Sequence, residues 1–148
     1  MATDPNLKQL GIKVGTVKRT LKEYEMYLKE DSDQRAKIEQ MKANKADESD
    51  IKQQLEVLND TLTVLPDTRQ RLQKYVGELR EFIDTHYTTV EAAVIAAGDA
   101  PVPDGDKAFE HVRDARTYLE KAGKHLNLDA SEPKPEAQGP SEIADADV

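Results

Sequence analysis

The sequence predicts an all-α fold, specifically an elongated antiparallel three-helix bundle with left-handed coiled-coil packing. Two long heptad repeats and an unusually polar composition support this prediction. Of the 148 residues, 34% are charged and only 37% are hydrophobic, and the mean hydropathy is −0.75. A chain this polar cannot fill a wide core. A thin bundle, however, needs apolar residues only along narrow stripes, spaced alternately three and four residues apart.

The first helix is predicted over residues 7–44, after a flexible N-terminus at 1–6. Its apolar stripe consists of Leu7, Leu10, Val14, Val17, Leu21, Tyr24 and Leu28. The same frame continues through the polar residues Asp31 and Arg35 to Ile38, so the middle of the stripe is hydrated. Gly11 and Gly15 lie inside the helix but off the stripe, where each costs about 1 kcal/mol relative to alanine. They are either tolerated surface glycines or positions where another element approaches closely.

The second helix is predicted over residues 49–85, after a polar turn. Ten positions hold one heptad frame: Ile51, Leu55, Leu58, Leu62, Leu65, Arg69, Leu72, Val76, Leu79 and Ile83. Pro66 interrupts this run without shifting it. Because proline removes a helical hydrogen bond but the frame continues, we predict one helix kinked at Pro66. The alternative is a true break, with a new helix beginning at Pro66-Asp67.

The third helix is predicted over 89–126, interrupted by a Pro/Gly-rich loop at 98–105. Thr88 and Glu91 fit a capping box, in which Thr88 is the N-cap and Glu91 returns to its amide. The apolar stripe after the loop is Ala108, Val112, Ala115, Leu119, Ala122 and Leu126. Residues 127–148 contain six acidic residues and one lysine, which is −5 of the total net charge of −8. We predict that they form a disordered acidic tail.

Several classes of function are excluded by composition and motif. The absence of cysteine removes disulfides, thiolate metal sites and thiol catalysis. His86, His111 and His125 are scattered, and no catalytic motif is present, so we predict no enzyme activity, no cofactor and no metal site. The body before the tail is nearly charge-balanced with interleaved signs, which disfavours nucleic acid. No apolar segment is long enough to span a bilayer, and no signal peptide follows the N-terminus. We therefore expect a soluble cytoplasmic protein that binds neither nucleic acid nor membranes.

Three blocks of sequence contain residues that bundle packing alone does not require, and their order along the chain is informative. Residues 12–19 (IKVGTVKR), followed by Lys22-Glu23 and Met26-Tyr27, form the first block, and residues 37–42 (KIEQMK) form the second. The third block runs from Asp50 to Leu72 and includes the central proline. This succession resembles the tubulin-binding cofactor A family. The resemblance covers residues 7–84 well and 106–122 loosely, whereas 85–105 and the acidic tail depart from the family.

The resemblance implies a tubulin-folding cofactor that captures and stabilises a β-tubulin folding intermediate for later heterodimer assembly. Such a protein acts by helix-face binding, without catalysis or nucleotide. Its implied partners are β-tubulin and other tubulin-folding cofactors, and the implied state is a cytoplasmic, cytoskeleton-associated monomer. Carried over by matching position, the partner-binding residues are Leu65, Pro66, Asp67, Arg69 and Arg71, followed by Lys18 and Arg19. The alternative role for Leu65 is core packing, and for Arg69 it is shielding of the kink.

Two other interpretations remain open. A generic coiled-coil scaffold or self-associating adaptor would pair through the polar seam positions Asp31, Arg35 and Arg69. An amphipathic membrane-surface helix is disfavoured, because no face is both cationic and rich in large apolar residues. A monomer that retains β-tubulin supports the cofactor, whereas a homodimer that retains no tubulin supports the scaffold.

Overall fold

The computed structural model describes residues 4–127, and this range contains four helices and no strand. The helices are α1 (Leu7–Ala43), α2 (Glu48–His86), α3 (Thr88–Ala97) and α4 (Lys107–Leu126). The all-α prediction is confirmed. The predicted count of three helices differs from the structure, because the interrupted third helix at 89–126 is two separate helices, α3 and α4. The left-handed coiled-coil packing stays a prediction.

The two long helices α1 and α2 form an antiparallel hairpin. They contain 37 and 39 residues, which corresponds to about 55–60 Å each at 1.5 Å per residue. Pairs across the hairpin, such as Glu23 with Arg71 and Gln34 with Thr61, show the antiparallel direction. Pro66 lies inside α2, which continues unbroken through it, so the alternative of a new helix beginning there is wrong.

Helix α4 runs parallel to α1 and covers only half of the hairpin. The ring of His111 lies against Gly11 at one end, and Nε2 of His125 is 3.0 Å from Oε2 of Glu25 at the other. With 20 residues, α4 is about 30 Å long. Beyond its end, residues 29–64 continue as a two-helix projection, which we name the arm.

The hydrophobic core lies where α4 covers the hairpin. One continuous cluster of buried residues comprises Leu10, Val14, Val17, Leu21, Tyr24, Leu72, Val76, Leu79, Ile83, Tyr87, Val94, Phe109, Val112, Ala115, Leu119, Ala122 and Leu126. In the arm, Ile38 and Leu58 are also buried but lie outside this cluster. The hydroxyl of Thr61 donates to Oε1 of Gln34 at 2.9 Å and joins the two helices there. The arm therefore has much less apolar packing than the rest of the molecule.

A buried ionic network attaches α3 to its neighbours. Glu91 of α3 is 2% exposed and forms ion pairs with two arginines. One is Arg80 of α2, which is 3% exposed. The other is Arg116 of α4, whose Nη1 lies 2.8 Å from Oε2 of Glu91. Burial by itself would lower the pKa of Arg80, but its hydrogen bonds to Glu91 and Asp84 raise it above the usual value. The predicted capping box is therefore wrong. Glu91 binds arginines of other helices, and the N-cap of α3 is the residue before Thr88.

The first described residues are attached to the end of α2. The hydroxyl of Tyr87 donates to Oδ2 of Asp4 at 2.7 Å, and Nδ2 of Asn6 lies 3.3 Å from Nδ1 of His86. The bond from Tyr87 lowers the pKa of Asp4, while burial and the same bond raise the pKa of Tyr87. The flexible segment predicted at 1–6 lies half outside the described residues, and the predicted disordered tail at 127–148 lies outside them from residue 128 onward.

Candidate partner-binding surface

The predicted residues around Pro66 lie on α2 at the base of the arm. Pro66 and Asp67 are exposed, whereas Leu65 is half-buried and packs against the core. Core packing, the alternative role for Leu65, therefore accounts for most of its surface. Thr68, in the next turn, is fully buried, and its hydroxyl donates to the carbonyl of Val64 at 3.0 Å. Of the consecutive residues 65–68, Pro66 and Asp67 are the two that are exposed to a partner.

The guanidinium of Arg69 is hydrogen-bonded to the end of α4. Its guanidinium donates from Nη1 to the carbonyl of His125 at 3.3 Å and from Nη2 to the carbonyl of Leu126 at 3.4 Å. The last carbonyls of a helix have no partner within the helix, and a cation near them also interacts favourably with the helix dipole. Arg69 therefore caps the last carbonyls of α4 beside Asn127, whose left-handed backbone ends the helix. The position of Arg69 in the α2 heptad did not suggest this role.

Arg71, Lys18 and Arg19 lie on the outer side of the hairpin. Both amino groups of Arg71 reach the carboxylate of Glu23, at 3.3 and 3.4 Å, and both side chains remain substantially exposed. Lys18 and Arg19 are exposed on α1, with Nζ of Lys18 located 5.9 Å from the ring centre of Tyr118. Glu23 follows Arg19 by one helical turn. The two predicted groups are thus neighbours through the pair of Arg71 and Glu23.

Sequence reasoning missed an exposed apolar surface on the arm. We define the arm stripe as Ile51, Leu55, Leu58, Leu62 and Leu65, which follow at steps of three and four residues and so share one face of α2. Leu58 is buried, but Leu55 is 44% exposed and Leu62 is 37% exposed. The stripe lies on the same face of α2 as Arg69, whose guanidinium contacts the end of α4. It is the part of the α2 seam that α4 is too short to cover.

Sequence reasoning also missed an uneven distribution of charge. Residues 5–22 include five cations and no acidic residue, while residues 29–64 include nine acidic residues and six cations. We define the basic strip as Lys8, Lys18, Arg19 and Lys22, all of which are exposed on α1. The signs are therefore interleaved over the chain as a whole but not over the first half of α1.

Residues 4–127 contain neither a candidate three-ligand metal cluster nor a candidate membrane-spanning helix. No three histidine or carboxylate side chains in this range come close enough together to bind a metal ion. Likewise, none of the four helices there combines the length and hydropathy needed to cross a bilayer. Three surface features of the described residues are candidates for partner binding: the arm stripe, the exposed residues around Pro66 and the basic strip.

Comparison with known proteins identifies the family. Residues 5–100 match the sequence model of the family described as Tubulin binding cofactor A. Tubulin-specific chaperone A of Rattus norvegicus is 39% identical over 89 residues, which are 60% of this chain and 82% of the relative. Tubulin-folding cofactor A of Arabidopsis thaliana is 41% identical over 111 residues, or 74% of this chain and 96% of the relative. The crystal structure of tubulin folding cofactor A from Arabidopsis thaliana superposes with a TM-score of 0.58 at 28% identity, covering 80% of this chain and 96% of that one. The chain described here therefore belongs to the tubulin binding cofactor A family.

Proposed function

We propose that this protein captures and stabilises a β-tubulin folding intermediate for later heterodimer assembly, by helix-face binding and without catalysis. Membership of the family supports a tubulin chaperone role, since the relatives carry the names tubulin-specific chaperone A and tubulin-folding cofactor A. The structural observation that carries the proposal is the arm stripe, with Leu55 44% exposed and Leu62 37% exposed.

The arm stripe suits a partner that has not finished folding. Incompletely folded proteins expose apolar surface that their native assemblies bury. An apolar segment laid along the stripe would take the place that α4 takes on the other half of the hairpin, against the same face of α2. Helix-in-groove recognition of this kind relies on anchors at steps of three and four residues, the spacing of the stripe. Pro66 and Asp67, exposed at its base, would extend the contact.

The proposed role of Pro66 is to set the direction of the arm. A proline in a helix removes one backbone hydrogen bond and clashes with the carbonyl four residues earlier, here that of Leu62, which bends the helix. A bend at the base of the arm would orient the stripe relative to α4. The variant Pro66→Ala restores the missing donor and should weaken capture of β-tubulin. Unchanged capture by this variant would remove the bend from the mechanism.

The monomeric state and the further partners are parts of the same proposal. We infer a cytoplasmic, cytoskeleton-associated monomer that passes tubulin to other tubulin-folding cofactors. The scaffold alternative requires Asp31, Arg35 and Arg69 to pair between chains. Instead, Nε of Arg35 lies 2.6 Å from Oδ1 of Asp31, and Arg69 binds the end of α4. These contacts within the chain favour the cofactor over the scaffold.

The test is capture of β-tubulin by the purified chain. Labelled β-tubulin from cell-free translation is mixed with the chain and analysed on native gels, beside assembled tubulin heterodimer as the control. We expect a mobility shift with free β-tubulin and none with the heterodimer, and a monomer of the chain in analytical ultracentrifugation. A chain that shifts neither species, or both equally, would contradict the proposed function.

A further inference from the structure

The basic strip is a concentration of positive charge that α1 does not need for its own stability. Lys18 and Lys22 are four residues apart, a spacing at which like charges destabilise a helix. Lys8 lies in the first turn, where the helix dipole disfavours cations, and that turn contains no acidic residue. Within the described residues, none of the four cations of the strip makes an ion pair. The strip therefore has the character of a binding surface for an anionic group.

A groove runs beside the strip and has room for an extended chain. Its volume is about 630 Å³, and its lining includes Asp4, Gly11, Gly15 and the ring of His111, which lies against Gly11. Lys8, Ile12 and Arg19 also line it, and Ile12 is 50% exposed. A segment in this groove would meet two cations, Lys8 and Arg19, with an apolar side chain between them; the one acidic lining residue, Asp4, accepts a hydrogen bond from Tyr87. This combination fits an acidic peptide with a few apolar residues.

The chain leaves α4 at the end of this surface. His125 contacts Glu25 at 3.0 Å, and Glu25 lies one helical turn from Lys22. Arg69 holds the last carbonyls of α4 in the same place. Residues 128–148, which follow, include six acidic residues and one lysine, a net charge of −5. A segment with a net charge of −5 thus begins about one helical turn from Lys22, at the end of the basic strip.

We propose that the acidic segment 128–148 binds in cis along the basic strip of α1. From Lys22 back to Lys8 the strip extends over about 21 Å at 1.5 Å per residue. At random-coil dimensions, a tether of about 15 residues would have a root-mean-square length of roughly 20–23 Å, so the segment is long enough to reach along the strip. Such a short tether gives an effective concentration in the millimolar range, at which weak ion pairs suffice. The contact requires no tubulin, so it stands independently of the proposed function.

Paramagnetic relaxation in the full-length chain tests this contact. Because the sequence has no cysteine, Ser141→Cys provides a single site for a nitroxide label on ¹⁵N-labelled protein. We expect amides of residues 8–22 to lose most of their peak intensity, while those at the arm tip, residues 40–52, keep theirs. About 1 M salt shortens the screening length to about 3 Å and should restore the intensity. Neutralising the acidic segment should do the same; the substitutions are Asp129→Asn, Glu132→Gln, Glu136→Gln, Glu142→Gln, Asp145→Asn and Asp147→Asn.

Two charge-reversal variants provide the matched control. One reverses the strip with Lys18→Glu, Arg19→Glu and Lys22→Glu, and the other makes an equal change on the arm with Lys42→Glu, Lys45→Glu and Lys52→Glu. Circular dichroism checks that both retain their helices. We expect only the strip variant to abolish the intensity loss. Equal effects of the two variants, intensity loss centred on the arm stripe, or no loss at the strip would overturn the proposal. Intensity loss that occurs only when the nitroxide and the ¹⁵N label are on different chains would also overturn it, because the contact would then be with a second copy of the chain.

Discussion

Replacing Leu55 and Leu62 together by glutamine removes the exposed apolar surface of the arm while preserving its helix. Glutamine has nearly the helix propensity of leucine and a stem of similar length, so its methylene groups can still cover α1. Both leucines are already partly hydrated, with 44% and 37% of their surface exposed. The free energy of unfolding should therefore fall by only about 1–2 kcal/mol. A loss of this size should leave the arm folded, so that weaker binding can be attributed to the missing apolar surface.

The size of the binding effect follows from the surface that remains to be covered. Full burial of a leucine side chain is worth about 1.5–3 kcal/mol. The exposed fractions of 44% and 37% therefore contribute about 1.2–2.4 kcal/mol together if a partner covers them. Since about 1.4 kcal/mol corresponds to a tenfold change in affinity, the double variant should bind β-tubulin roughly 7- to 50-fold more weakly.

Native-gel titration of labelled β-tubulin measures this change, and Val57→Gln is the matched control. Val57 is 41% exposed, but it lies about 200° around α2 from Leu55, away from the stripe. We expect the control to bind within a factor of two of the unsubstituted chain. If the double variant is folded by circular dichroism and binds as tightly as the control, the arm stripe is not the surface that holds β-tubulin.

Three further predictions concern stability, and urea denaturation measures each. Glu91→Ala leaves the guanidinium of Arg80 buried without this carboxylate and should lower the free energy of unfolding by about 3–5 kcal/mol; a loss below about 1 kcal/mol would contradict the account of the network. Tyr87→Phe removes the hydrogen bond to Asp4 and should lower it by about 0.5–1.5 kcal/mol at neutral pH. The folded-state pKa of Asp4 is lowered from 3.8, so the contribution of this hydrogen bond is present above pH 3.8 and is lost as the pH falls through the folded-state pKa. The free energies of unfolding of the variant and the unsubstituted chain should therefore converge in acid. A difference between them that does not change with pH would refute this account. Gly77→Ala, at a helical position with no atom within 4 Å of the added methyl group, should raise the free energy of unfolding by about 0.5–1 kcal/mol, whereas destabilisation would show a contact that the structure lacks.

The sequence predicts the long helices well because their signal is local. Helix α1 ends at Ala43 and α2 extends from Glu48 to His86, within one residue of the predicted ends at 44, 49 and 85. The unchanged frame across Pro66 also predicts the unbroken α2 correctly, since a loop would have shifted the seam. Periodicity depends only on neighbours in the sequence, and these helices present one periodic face throughout.

The same periodicity could not show which seam positions are covered. Leu55 and Leu62 share a frame with Leu72, yet Leu72 is fully buried and the other two are exposed. The difference depends on where α4 ends along α2, next to Arg69, and this tertiary relation leaves no trace in the periodicity of α2. One signal was present: the seam after the 98–105 loop holds six positions, against ten in α2. The seven predicted partner-binding residues stay predictions, and the structure adds the arm stripe to them.

Polar residues were harder to interpret than apolar ones. Glu91 satisfied a local capping pattern with Thr88, but its carboxylate binds Arg80 and Arg116 from two other helices. A local hydrogen bond to a backbone amide at the surface is worth less than neutralising a buried guanidinium, so the tertiary contact prevails. Nothing in the spacing of these three residues indicates that they meet, because each lies in a different helix.

The unequal lengths of the helices connect the polar composition with the proposed function. If a third helix covered the whole hairpin, Leu55 and Leu62 would be buried, and the molecule would present no continuous apolar surface to a partner. Because α4 ends at Leu126, the covered half supplies the core, and the arm projects with its stripe exposed. An apolar stripe on a free arm is also an aggregation risk, which the many charged residues around it reduce. On the proposed function, the high charged fraction keeps an exposed apolar stripe soluble, and charge neutralisation on the arm should lower solubility before it lowers capture.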